Sequence, residues 1–176
     1  MKYCLLGIFL TLASTGIAQA NTIFVPSFGD SGLQTFNYTF VADFTGTVTI
    51  GVSDEGDSSI ESYLDLPGYV KALRTNPASP ADTANYANTQ NEHGTDGELY
   101  TFALTALAGE SFSFDWRFHT DDYHPFNDFA FVSLVDGNQS QVRYAVLAEV
   151  AAVPVPAAIW LFGSSLVGWF GLRRKA

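Results

Sequence analysis

The sequence predicts an all-β protein, folded as an antiparallel β-sandwich. Three observations predict it. Apolar residues alternate with period two along several segments. Short clusters of Gly, Asp, Asn and Ser separate those segments. No stretch of the central chain carries the 3.6-residue period of an amphipathic helix. The 176 residues leave room for one domain, and 47% hydrophobic with 15% aromatic content excludes a disordered polar chain. Cys4 is the only cysteine, so a disulfide framework and a cysteine-based zinc site are both excluded.

In chain order, residues 1–20 read as a cleavable secretory signal helix. Lys2 opens it, residues 3–12 are apolar, and Ala18-Gln19-Ala20 is a small-x-small cleavage site at Ala18 and Ala20. The body, residues 21–152, then reads as strands. Phe36, Tyr38 and Phe40 alternate with Asn37 and Thr39, and Val48, Ile50 and Val52 follow the same rule. The turn Asp43-Phe44-Thr45-Gly46 suggests that these two segments form a hairpin. Residues 62–66 and 69–73 add one or two short strands. Residues 75–97 hold almost no large apolar side chain and read as a long loop, either a mobile connection or a binding lid. Tyr100, Phe102 and Leu104 mark the next strand; Phe112, Phe114, Trp116 and Phe118 mark another. Residues 129–135 are apolar on both faces, as a central strand is. Asp136-Gly137-Asn138 leads into the alternating Val142, Tyr144 and Val146.

The third segment, residues 153–176, opens with Val153-Pro154-Val155-Pro156 and continues as sixteen uncharged residues, 157–172. As a helix these span ~24 Å against a ~30 Å hydrocarbon core, a short transmembrane helix. Arg173, Arg174 and Lys175 follow and hold the C-terminus in the cytoplasm with the body outside. This order of Pro-x-Pro at Pro154 and Pro156, apolar helix and basic end resembles the PEP-CTERM sorting tail. The resemblance implies an exported precursor anchored in the inner membrane, processed by an exosortase and passed to the surface or extracellular matrix of a Gram-negative bacterium. It further implies association with exopolysaccharide. Val155 stands where that family has its name-giving Glu.

Segments of the body also resemble a domain that recurs in PEP-CTERM proteins. They are the run from Trp116 to Phe131, the Gln34-Thr35-Phe36 strand and the Val52-Ser53-Asp54-Glu55-Gly56-Asp57 turn, in reversed order. That resemblance implies a jelly-roll-like or galactose-binding-like sandwich, in a family whose biochemical function is generally unknown.

Charge separates the ends from the middle. The whole chain carries −10, but four of its eight basic residues are Lys2, Arg173, Arg174 and Lys175. The body sets Lys71, Arg74, Arg117 and Arg143 against all 18 acids, a net −14. Nucleic acid is excluded as a partner by that balance. Asp54, Asp57, Asp121, Asp122, Asn127 and Asp128 lie in turns and offer hard oxygen ligands, a candidate Ca²⁺ site if their loops meet. The same Asx residues serve equally well bonding their own backbone turns. His119, Asp121, Asp122 and His124 imitate a transition-metal cluster or simply form a solvated loop. No catalytic residue is assigned: the nucleophile, zinc-protease and phosphate-loop motifs are missing from the sequence. Three functions stay open: a structural or binding component of the surface matrix, a Ca²⁺-assisted module for surface polysaccharide, and a glycoside hydrolase using a carboxylate pair. Tyr63, Tyr69, Tyr86, Tyr123 and Phe126, in or near turns, suit sugar stacking or packing beneath loops.

Overall fold

Period-two segments become strands of two facing sheets because each has one apolar face to bury. The computed structural model describes residues 21–56, 60–69, 72–123 and 125–151. The signal segment with Ala18 and Ala20, the tail with Pro154, Pro156, Arg173, Arg174 and Lys175, and Asp57 and His124 lie outside the described residues.

The described residues form ten strands: β1 (Ile23–Pro26), β2 (Gln34–Thr39), β3 (Phe44–Ser53), β4 (Ser62–Asp65), β5 (Leu73–Arg74), β6 (Ala81–Asp82), β7 (Asp96–Ala106), β8 (Ser111–Thr120), β9 (Phe129–Asp136) and β10 (Gln141–Ala151). Six of them form one sheet in the order β1-β10-β9-β3-β7-β6, and four form the other in the order β2-β8-β4-β5. The described residues contain no helix, and so none long and apolar enough to cross a membrane.

Strand β8 shows the rule plainly. Phe114, Trp116 and Phe118 point inward and are buried, while Ser113, Asp115 and Arg117 face water. From the opposite sheet Val48, Ile50, Val52, Val132 and Leu134 complete the core. Each such burial contributes ~1.5–3 kcal/mol. Strand β9 lies between β10 and β3 and is buried on both faces, which accounts for its unbroken apolar run. Gly51 faces Phe131 across the β3–β9 ladder, and a Cβ there would run into the Phe131 and Leu99 side chains.

Two sequence expectations change. The segments at 36–40 and 48–52 do not form a hairpin: β2 pairs with β8 in the small sheet, and β3 pairs with β7 and β9 in the large one. The turn between them passes from sheet to sheet, and buried Phe40 and Phe44 stack at 4.9 Å to close that end. Alternation tells which way a side chain faces; it does not tell which sheet the strand joins. The sandwich is also not purely antiparallel, because β1 runs parallel to β10, from Ile23↔Ala148 to Pro26↔Ala151. Of the predicted strand at 69–73, residues 70 and 71 lie outside the described residues, Leu73 belongs to β5, and Tyr69 packs against Tyr100 and Phe102.

Residues 75–97 are loop for most of their length, but β6 lies within them and pairs with the start of β7 at Asp96 and Gly97, and the loop is fastened. The Tyr86 ring stacks on Phe131 at 4.1 Å, forming a second apolar cluster on the outer face of the large sheet with Phe129, Val146, Leu99 and Tyr144. Tyr144 Oη donates to the Ala87 carbonyl at 2.6 Å. Thr89 donates its backbone N–H (2.8 Å) and hydroxyl (2.5 Å) to the buried Glu149 carboxylate. Two tyrosines and one buried acid hold what composition alone reads as loose.

Candidate metal centre

Ladder register brings the acidic turns together. Ser53 is the last residue of β3 and pairs with Phe129, the first of β9. The next residue outward on each strand is an aspartate, Asp54 on one and Asp128 on the other. Strand β8 of the other sheet ends at Thr120, paired with Ser62, and Asp122 follows two residues later. Asp54, Asp122 and Asp128 thus meet at one end of the sandwich, each with a carboxylate oxygen within 4.8 Å of the others. All three are buried, at 1%, 0% and 0% exposure.

Backbone bonds fix each of them. Asp54 donates its N–H to the Asp96 carbonyl (2.8 Å) and accepts from the Thr95 N–H (3.0 Å). The Asp128 carbonyl accepts from Val150 N–H at 3.0 Å. Asp122 donates its N–H to Thr120 Oγ1 (2.9 Å), and its carbonyl accepts from Phe28 N–H (2.9 Å). Asp122 Oδ1 accepts from Tyr123 N–H at 2.7 Å. Asp128 Oδ1 accepts from Glu55 N–H at 3.1 Å, whereas Asp128 Oδ2 is buried and meets no hydrogen-bond donor among the described residues.

Electrostatics follow from this crowding. Burial pushes the Asp128 carboxyl up to about 9; the Ser62 hydroxyl pulls it back, and Asp54 raises it again. The strongest influences on it include no cation. Three adjacent buried carboxylates cannot all stay ionised without positive charge among them. A shared proton or a cation is what such a place can hold. Full burial suits a small ion far better than a polymer chain.

The other predicted ligands sit elsewhere. Asn127 is buried beside the triad, but its side chain donates to Glu92 Oε2 at 2.8 Å and its N–H to Glu55 Oε2 at 3.2 Å. Asp121 is exposed and lies 3.1 Å from His119 Nε2. His119 also approaches Asp30 Oδ2 at 3.5 Å and belongs to the solvated face with Arg117. The Arg117 guanidinium, forked onto Asp30, holds that carboxyl below its usual range. Glu55, from the same acidic turn as Asp54, braces the site, while Ser62 and Glu92 carry no signal in the sequence; only the pairing of β4 with β8 and the folded 75–97 loop bring them there. Beside Asp122, the exposed rings of Phe28 and Tyr123 stack at 5.9 Å, with Phe126 edge-on to Tyr123 at 5.5 Å. At the opposite end a 380 Å³ depression lies between β7 and β8, lined by Phe40, Leu104 and Phe112 among others.

The model of the PEP-CTERM protein-sorting motif matches residues 152–175. This chain carries a PEP-CTERM sorting motif. The match begins directly after β10, whose Val150 bonds to Asp128, so the acidic triad lies at the end of the body from which the PEP-CTERM tail continues. The motif makes the protein an exported, exosortase-processed one. No curated protein and no solved structure matches the chain.

Proposed function

We propose that the protein is a structural or binding component of the bacterial surface or its exopolysaccharide matrix, delivered there once an exosortase removes the tail. The single observation that carries this reading is the sorting motif at residues 152–175. A body of net −14 supports it: such a module stays soluble and keeps clear of anionic surfaces. The tail anchors the precursor in the inner membrane, and the mature protein is the sandwich alone. The test is fractionation of cells with and without their exosortase. The reading expects surface or medium location with the enzyme present and membrane retention without it. Equal distribution in both strains would overturn it.

A second reading, a Ca²⁺-assisted module for surface polysaccharide, is favoured by the Phe28 and Tyr123 rings. Phe28 is 66% exposed and has a φ of 57°, a left-handed conformation that bulky residues rarely adopt. A flat, exposed ring pair held at such expense suits the face of a sugar. Glycan-array binding that disappears in Phe28→Ala would support it; binding unchanged by that substitution, or none, would count against it. A hydrolase has no observation in its favour beyond the abundance of carboxylates.

A further inference from the structure

We infer that Asp54, Asp122 and Asp128 form a binding site for one hard divalent cation, Ca²⁺, which ties the end of the β3–β9 ladder to the turn after β8. Two independent observations carry this. The first is convergence: three carboxylates from three chain segments, and from both sheets, come within 4.8 Å. Two oxygens on one Ca²⁺, at 2.3–2.6 Å each, lie at most about 5 Å apart, so the spacing is that of a shared ion. The second is Asp128 Oδ2, a fully buried carboxylate oxygen beside Asp54 that meets no donor among the described residues. A buried polar atom ordinarily finds a partner, and here an ion between the carboxylates supplies one.

The donors decide the class of ion. All three are carboxylates, with neither imidazole nor thiolate among them, which disfavours Zn²⁺ and Cu²⁺. Three carboxylates offer up to six oxygens, matching the six to eight that Ca²⁺ takes. Each ligand's backbone is already fixed by hydrogen bonds to Asp96, Thr95, Val150, Thr120 and Phe28, so little ordering accompanies binding. The ion stabilises the fold rather than meeting a ligand from solution, because the site is closed to solvent. This inference stands apart from the proposed function and would survive its failure.

The test is calorimetric titration of Ca²⁺ into the full chain, purified in detergent and stripped with a chelator, with Mg²⁺ as the comparison ion. Thermal melts run in parallel. One equivalent of Ca²⁺ is expected to bind and to raise the melting midpoint by several degrees. Asp128→Asn is expected to weaken binding at least tenfold, and Asp122→Asn likewise. Asp121→Asn, on the surface nearby, is expected to leave it unchanged. A chain that takes up no Ca²⁺ at millimolar concentration, with no shift in midpoint, overturns the site. So does an Asp128→Asn chain, folded by circular dichroism, that binds as tightly as the parent. If neither ligand variant folds, the Ca²⁺-induced shift of the parent alone decides.

Discussion

Replacing Asp128 by Asn should stabilise the metal-free protein at neutral and alkaline pH, although it removes a buried, hydrogen-bonded group. The carboxyl titrates at about 9 in the folded chain, raised by burial and by Asp54, and near 3.9 when unfolded. An acid whose folded value is raised contributes its full stability only below the unfolded value. That contribution is lost progressively as pH climbs from about 4 towards 9, because folding must take up a proton that becomes scarcer. The slope reaches about 1.4 kcal/mol per pH unit, or about 4 kcal/mol between pH 5 and 8 as an upper bound, since Asp54 and Asp128 titrate as one pair. An Asn at 128 carries no charge, still accepts the Glu55 N–H, and can donate its amide to Asp54. Urea denaturation of both chains in chelator, at pH 5 and pH 8, measures the effect. The gap in favour of Asp128→Asn should widen by one to several kcal/mol with rising pH. A gap that stays constant or reverses would refute the picture of a buried carboxyl forced to hold its proton.

Three further substitutions probe the body. Gly94→Ala places a Cβ against Ser53 Oγ and 2.6 Å from Thr83 Oγ1, both buried and bonded to each other at 2.6 Å; a loss of ~1–3 kcal/mol in urea is expected from such overpacking. Tyr86→Ala removes the ring stacked on Phe131 and should accelerate proteolytic cutting within 75–97 several-fold, whereas a loop already loose would be cut no faster. Thr89→Ala takes two contacts down to one on the fully buried Glu149 carboxylate, and a loss of ~1–3 kcal/mol is expected in the same assay.

Much of this architecture could be read from residues. Strands β2, β3, β7, β8 and β10 lie where the alternation of Phe36, Val48, Tyr100, Phe114 and Tyr144 places them, because burying one face is a local demand written every second residue, and β9 lies where an unbroken apolar run marks a strand buried on both faces. Partners are another matter. Phe36–Phe40 and Val48–Val52 have inward faces that fit a hairpin and a sheet-to-sheet crossing equally well, and the choice rests on the long-range pairing of β2 with β8 and of β3 with β7 and β9. Strand β1 is too short to show a period, and it earns its place only by pairing with β10. The acidic turns were visible as composition, but the meeting of Asp54 with Asp128 depends on the single register Ser53↔Phe129. A slip of one residue would turn one of them away. Asp121 and Asp122 look alike in sequence; one is exposed beside His119 and the other fully buried, because the chain turns inward after Thr120 to meet Phe28.

The division between addressing ends and working middle is tested most directly by the intact mass of the protein recovered from the cell surface. The expected chain starts at Asn21 and has lost the segment bearing Arg173, Arg174 and Lys175. A surface protein with the full 19.1 kDa mass of residues 1–176 would contradict it.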